Sequence, residues 1–395
     1  MKEGFCRVTF RPANRTVRVK TGTTVREAAA LADIFLAADC GGRGHCGKCR
    51  VLFTGGASAA TEEEKRLLSS ADIERGVRLA CRARLTKDGA VEIPPESEGV
   101  LPQVLAFGAR EQGELKFDPP TRKIELTEIE QRLRDARTSD IEVLSEITGA
   151  GGSDELPLEL VRFVSDRLRG TDASGAAVVI SEGTILGLTG VGRDVYGIAL
   201  DVGTTTVVGA LVELNSGTQL SVASRLNGQA VHGADTISRI KFCSSKADGL
   251  DELNQRIIGT VNEIIDELSE QTDVDPQDIW EMTAVGNAVM MHLFLGVSPQ
   301  YLGLMPYTPV FRRPPKVNAA QLGLKLNPRA NVHVLPSIGS FVGADSVGVI
   351  LSSGMQRSDR PTMAVDIGTN GEILIGSTER LLASSTAAGP ALEGA

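Results

Sequence analysis

Alternating apolar and polar residues open the chain. Cys6-Arg-Val-Thr-Phe10 and Arg15-Thr-Val-Arg-Val19 predict two strands, with Ala13-Asn14 as the turn between them. From Thr24 to Leu36 the period lengthens to that of a helix, carried by Val25, Ala28, Ala29 and Leu31. Val51 to Phe53 and Val91 to Ile93 predict short strands, and Thr61-Glu-Glu-Glu64 has the form of a capping box opening a helix. After Ile93 the pattern lapses: Pro94-Pro95, Pro102 and Asp118-Pro119-Pro120 bracket a stretch without sustained period, which predicts an interdomain linker. Periodicity returns with a helical face at Leu160, Val161, Val164 and Leu168 and an apolar strand from Ala176 to Ile180. Further on, Ile257, Ile258, Val261, Ile264, Ile265 and Leu268 mark an amphipathic helix, and Trp280 to Val285 a strand running into Gly286-Asn287.

The first chemical signal is Cys40-Gly-Gly-Arg-Gly-His-Cys46-Gly-Lys-Cys49, followed at a distance by Cys81. Four thiolates suit a 2Fe-2S cluster, and the glycines let the loop backbone curl until its N–H groups reach the sulfurs. A four-cysteine zinc site pairs two Cys-x2-Cys knuckles, whereas here Cys46 and Cys49 form a single one. Gly42-Arg-Gly-His-Cys-Gly47-Lys48-Cys49 approaches a phosphate-binding P-loop, but that motif ends on a hydroxyl that ligates magnesium, and Cys49 breaks it. His45 lies between ligands as a loop residue that can tune the potential, since Rieske centres use two histidines. Cys6 and Cys243 read as buried inert thiols.

Composition narrows the setting. With 395 residues, 42% hydrophobic and 23% charged, the chain can build two or three cores. A net charge of -9 argues against nucleic acid and anionic membrane as partners. No apolar run reaches bilayer-spanning length, and MKEGFCRVTF is no signal peptide. Cysteines clustered in one loop fit metal binding in a reducing compartment, so the expected location is cytoplasmic.

The second signal is an internal repeat. Gly197-Ile-Ala-Leu-Asp201-Val-Gly203-Thr204-Thr205-Thr206-Val-Val-Gly returns in altered form as Met363-Ala-Val-Asp366-Ile-Gly368-Thr369-Asn370-Gly371-Glu-Ile-Leu-Ile-Gly. Each copy reads as strand, turn, strand. An Asp at the strand end can hold hydrated Mg2+ or polarise a water, the Gly frees backbone to wrap a phosphate, and the Thr hydroxyls add donors. One Asp-x-Gly-Thr is an ordinary turn composition; two copies between apolar strands point to paired phosphate loops.

The hairpin, helix and cysteine loop resemble the β-grasp ferredoxins, with Cys-x5-Cys-x2-Cys spacing closer to the adrenodoxin-like branch than to the plant-type one. The repeated loops resemble the phosphate-1 and phosphate-2 loops of the superfamily of acetate and sugar kinases, heat-shock chaperone ATPases and actin. Together the chain resembles the reductive activators of corrinoid-dependent enzymes, also through Gly233-Ala-Asp235-Thr-Ile-Ser-Arg239-Ile, Val285-Gly-Asn287-Ala-Val-Met-Met-His292-Leu-Phe-Leu-Gly296, Phe341-Val-Gly-Ala-Asp345 and Ala388-Gly-Pro-Ala-Leu-Glu-Gly-Ala395.

The fold class this implies is α+β and α/β, multidomain: a β-grasp 2Fe-2S ferredoxin domain over 1–93, a linker over 94–120, a small α/β middle domain over 121–193, and an incomplete actin-like (ribonuclease H-like) ATPase domain over 194–395. The resemblance implies a cluster on Cys40, Cys46, Cys49 and Cys81. It implies ATP and Mg2+ between Asp201, Gly203, Thr204, Thr205 and Thr206 on one side and Asp366, Gly368, Thr369, Asn370 and Gly371 on the other, with Asp201 and Asp366 catalytic. The partners it implies are a low-potential electron donor and a corrinoid protein whose cobalt is returned from Co(II) to Co(I); a homodimer is left open. Moving one electron uphill by about 100 mV costs about 2.3 kcal/mol, which nucleotide-driven differential affinity can cover. The rival functions are an electron carrier with a non-catalytic ATPase-like domain, and a redox-regulated small-molecule kinase with Asp201 or a neighbouring acid as base. A non-corrinoid acceptor is a further variant. Since the actin-like fold extends beyond a second phosphate loop, the ending at Gly394-Ala395 carries the expectation of a fragment, or of a shortened protein with impaired ATP binding and a poorly buried second lobe.

Overall fold

The computed structural model describes residues 4–32, 34, 36, 44–97, 117–126, 129–135, 137–150, 158–169, 175–233, 235–368 and 370–387. Cys40, Thr369, the linker residues 98–116 and the segment 388–395 lie outside the described residues.

Strands β1 (Phe5–Arg11) and β2 (Arg15–Lys20) form the antiparallel hairpin that the alternation predicts, with Asn14 at φ 53° in the turn. Helix α1 (Val25–Leu31) buries Val25, Ala28 and Ala29. It is shorter than the Thr24–Leu36 stretch suggested by spacing, because the chain leaves the helix at Ala32 and the Ile34 N–H closes back on Ala29 O at 2.9 Å. Strands β3 (Arg50–Phe53), β4 (Val77–Leu79) and β5 (Gly89–Glu92) complete a five-stranded sheet ordered β2-β1-β5-β3-β4, with β1 and β5 parallel. The inward side chains Cys6, Val8 and Phe10 make its core with Val51, Leu79 and Val91. Between β3 and β4 lie α2 (Glu62–Leu67) and α3 (Ser70–Glu74), and Thr61 and Glu64 close both bonds of the capping box.

A second unit sets the sheet β6 (Thr121–Glu125), β7 (Ala176–Ser181) and β8 (Thr184–Gly190) against α4 (Ile129–Asp135), α5 (Asp140–Thr148) and α6 (Leu158–Arg169). Leu160, Val164 and Leu168 of α6 face that core, whereas Val161 is exposed.

The largest sheet is six-stranded and ordered β11-β10-β9-β12-β14-β13. Its strands are β9 (Tyr196–Val202), β10 (Thr206–Glu213), β11 (Gln219–Leu226), β12 (Ile279–Val285), β13 (Val317–Asn318) and β14 (Asn331–Val334). Helix α7 (Thr236–Ser245) precedes α8 (Gly249–Thr272), whose apolar face of Ile257, Val261, Ile264, Ile265 and Leu268 is fully buried. Each such side chain contributes about 1.5–3 kcal/mol over exposure, which fixes α8 across the sheet. Strands β9, β12 and β14 run parallel, so their carboxyl ends open on one edge. In parallel sheets that edge is where ligands bind. Helices α9 (Ala288–Phe294), α10 (Ala319–Leu322) and α11 (Ala344–Ser353) follow.

The antiparallel sheet β15 (Thr362–Ile367), β16 (Asn370–Gly376) and β17 (Leu381–Ala387) comes last. Its inner face buries Leu374 with Ile350 and Met355, while Met363, Val365, Ile367, Ile373 and Ile375 on the other face are exposed. The molecule is thus mixed α/β and multidomain: a ferredoxin-like sheet, a middle mixed sheet and a short C-terminal region. Among the described residues no helix is long and apolar enough to cross a membrane.

Candidate functional site

The described motif residues fall in two places. At the first, Cys49 immediately precedes β3 and Cys81 follows β4, and their Sγ atoms approach to 3.4 Å. Two thiolates on one tetrahedral metal with bonds of about 2.3 Å stand about 3.8 Å apart, so the pair fits shared ligation. Cys46 is half-buried in the same loop, where Gly44 and Gly47 take φ of 76° and 71°. The chemistry of the Cys49–Cys81 pair suits a cluster's thiolate ligands; Cys40 lies outside the described residues.

The capping box holds this site in place. Glu64, fully enclosed, accepts from Thr61 N at 2.9 Å, from Arg78 Nε at 3.0 Å and from Leu79 N at 3.0 Å, which anchors β4 just ahead of Cys81. Burial opposes its ionisation, but the bonds from Arg78, Thr61 and Leu79 outweigh burial and hold its carboxyl below the usual range.

The second site lies where β9 and β12 end, with Asp201 and Val285 side by side. After Asp201 the chain turns through Gly203, where a Cβ would stand 2.4 Å from Thr206 O, so the turn tolerates no side chain there. Asn287, the N-cap of α9, donates Nδ2 to Thr204 Oγ1 at 2.9 Å. Asn227 donates Nδ2 to Gly203 O at 2.8 Å. Arg239, fully buried, donates to Thr204 O, to Gly233 O at 3.0 Å and to Gln229 Oε1 at 3.0 Å. Burial draws its guanidinium down to about 9, so it stays charged at neutral pH.

Across the cleft, β15 and β16 place Asp366 directly opposite Glu372 on the inner face, and α11 contributes Asp345 in its first turn. The backbone of Gly343 packs on Asn287, 2.5 Å from Cα to a hypothetical Cβ, so the start of α11 meets the start of α9. These carboxylates crowd one another. The packed cleft floor, then Asp345 and Asp366, push Asp201 up to about 7 even though its side chain still reaches solvent. Burial, then Asp345 and Asp366, push Glu372 up to about 7, and burial raises Asp345 as well. Clustered carboxylates that resist ionisation mark a place where a cation or a proton is handled. No set of three or more His, Cys, Asp or Glu is gathered tightly enough to hold a metal by itself among the described residues.

Of the residues marked by the sequence, Asp366 lies near enough to Asp201 for its charge to raise the Asp201 carboxyl, while Gly203, Thr204, Thr205 and Thr206 form the turn beside Asp201. Gly368, Asn370 and Gly371 lie at the corresponding turn between β15 and β16, and Thr369 lies outside the described residues. Sequence reasoning gave no role to Asp345, Glu372, Asn227 or Arg239. Asp345 and Arg239 lie inside segments that carry the family resemblance and Glu372 inside the second copy of the repeat, whereas Asn227 belongs to no motif.

Comparison with known proteins adds independent findings. A model of the 2Fe-2S iron-sulfur cluster binding domain matches residues 8–86, the RACo middle region matches residues 196–358, and the C-terminal domain of RACo, the ASKHA domain, matches residues 360–395. The corrinoid activation enzyme RamQ of Eubacterium limosum is 31% identical over 392 residues, covering 98% of this chain and 62% of the relative. A Co(II) methylated amine-specific corrinoid protein reductase of Methanosarcina barkeri is 26% identical over 208 residues, 50% of this chain and 37% of the relative. A solved structure titled reductive activator for corrinoid,iron-sulfur protein superposes with a TM-score of 0.65 at 30% identity, covering 99% of this chain and 64% of that one. The chain therefore spans less than two thirds of the length of each of these relatives.

Proposed function

The chain belongs to the RACo family, with a 2Fe-2S domain, a RACo middle region and an ASKHA C-terminal region, and from that premise we propose that it is an ATP-dependent reductive activator of a corrinoid protein. The observation that carries this reading is the joining, in one chain, of a thiol pair 3.4 Å apart with a carboxylate-lined cleft at the ends of parallel strands. When bound, the 2Fe-2S cluster supplies a one-electron store, and the electron it releases takes the partner's cobalt from Co(II) to Co(I).

The protein's own residues then divide the work. Cys40, Cys46, Cys49 and Cys81 would hold the cluster, and the enclosed Glu64–Arg78 pair keeps β4, just ahead of Cys81, in place. Gly203 to Thr206 offer backbone N–H groups and hydroxyls to phosphate, opposite Gly368 to Gly371. Asp201 and Asp366 would hold Mg2+, which would offset the phosphate charge. Asp345 and Glu372 stand close enough to take up or release a proton as the nucleotide arrives.

Reduction against a potential step of about 100 mV asks for about 2.3 kcal/mol. Nucleotide binding contributes it through different affinities for the partner before and after reduction. The setting is cytoplasmic, and a low-potential donor recharges the cluster. The test is nucleotide hydrolysis with and without a corrinoid partner in its Co(II) state: the partner should accelerate turnover, and a rate indifferent to its presence counts against coupling.

A further inference from the structure

Residues 227–233 and Arg239 reach from the nucleotide turn to the ferredoxin domain. At the nucleotide turn, Asn227 donates Nδ2 to Gly203 O and its N–H to Thr205 O, each at 2.8 Å, and Arg239 donates to Thr204 O. Arg239 also holds Gln229 Oε1 at 3.0 Å, and Gln229 Nε2 reaches Leu253 O on α8 at 2.9 Å. Gln229 lies in the short 3-10 helix Gly228–Val231, and the next residue accepts from the ferredoxin domain: Arg26 Nη2 of α1 donates to Ala230 O at 3.1 Å. The Arg26 N–H itself bonds Ala80 O at 2.9 Å, and the Val25 N–H bonds Ala83 O at 3.0 Å, so the first turn of α1 grips the backbone on both sides of Cys81.

Two properties make this chain of bonds able to carry a signal. Arg239 is fully buried and charged, so a shift of the Thr204 carbonyl cannot be made good by water and must be followed by the side chain. Beside the Arg26–Ala230 bond a solvent-open pocket of about 510 Å3, lined by Glu27, Cys81, His232, Phe242 and Lys246, separates parts of the two domains. A small, polar interdomain contact of this kind yields to modest forces.

We propose that Arg239 is a positioning residue that couples the state of the Gly203–Thr206 turn, through residues 227–233 and Arg26, to the backbone bearing Cys81. Nucleotide binding thereby alters how the ferredoxin domain is seated and what surrounds a cluster ligand. This rests on the reading of the turn as a phosphate loop. It adds an internal route by which the ATPase region governs the electron donor, separate from any grip on the corrinoid partner.

The experiment uses the full cluster-loaded chain and hydrogen exchange with and without saturating Mg-ATP or a slowly hydrolysed analogue. In the wild type, nucleotide should protect residues 201–206 and change exchange in Val25–Leu31 at least about twofold. Arg239→Lys keeps the charge but not the forked set of bonds; Arg26→Ala removes the far contact with Ala230. Arg26→Ala should keep protection of the turn and lose the α1 response; Arg239→Lys should lose the α1 response. If Arg239→Lys does not fold, Arg26→Ala, altered at a half-buried site, decides the matter. A wild type that protects the turn without an α1 response, or variants whose α1 responds as the wild type does, overturns the coupling alone. A wild type that binds no nucleotide overturns the phosphate-loop reading and the coupling with it.

Discussion

The Sγ atoms of Cys49 and Cys81 lie 3.4 Å apart although 32 positions separate them along the chain. Such an approach without a disulfide is what a shared metal requires. Replacing either with Ser should abolish the visible absorbance of the reconstituted cluster and leave nucleotide binding in place. Cys6→Ser should leave that absorbance intact, because Cys6 is buried in β1 and burial raises its thiol pKa, so it contributes little thiolate. Absorbance and iron content of each purified variant check both statements.

Glu64 gives a prediction about stability. Glu64→Gln removes the carboxylate charge that pairs with the enclosed Arg78 guanidinium, leaving its bonds to the Ser58 and Ala59 carbonyls, and should cost about 3–5 kcal/mol. The sign of its pH dependence follows from a folded carboxyl held below its ordinary value of 4.5: the pair stabilises above that value, and its contribution is lost as pH falls through the lower folded value. Thermal unfolding should show a steep acid limb in the wild type and a flatter one in the variant, with cluster absorbance lost earlier on heating.

The acid-lined cleft predicts the opposite sign. Asp201 and Glu372 are raised to about 7, so their contribution to apo stability is full below the ordinary carboxylate range and is lost as pH rises through about 7. A Mg-nucleotide complex favours the ionised forms. Its affinity should therefore rise with pH by up to about tenfold per unit for each proton released, and level off above about 7. Calorimetry at pH 6 in two buffers of different ionisation enthalpy should record proton release.

Asp201→Asn separates stability from function. Removing one charge from the crowd of Asp201, Asp345 and Asp366 should raise the melting temperature above pH 7 and sharply lower nucleotide turnover, while the cluster spectrum stays as in the wild type. Loss of turnover and spectrum together contradicts a division of labour between the two sites.

How much of this was legible in the sequence depended on whether the information was local. The cysteine loop, the capping box at Thr61 and Glu64, the 3.6-residue period of α8 and the Asp-Gly-Thr turn after β9 are short-range patterns, and each could be read directly. Glu372 could not, because what matters is its position opposite Asp366 across two strands, on a face that alternation in β16 assigns only once the pairing is known. Arg239 was hidden for a similar reason: in sequence it is one polar residue of an amphipathic helix, and its partners Thr204, Gln229 and Met290 come from three other segments. The early end of α1 came from backbone closure at Ile34, which side-chain spacing does not encode.

The central claim is most directly tested by anaerobic spectroscopy of a corrinoid partner held in the Co(II) state, mixed with the full-length cluster-loaded protein and a low-potential reductant. The account predicts Co(I) absorbance that appears with Mg-ATP, and that is absent without nucleotide, with Cys81→Ser or with Asp201→Asn. Co(I) formed equally well without ATP, or formed by the Cys81 variant, would contradict it.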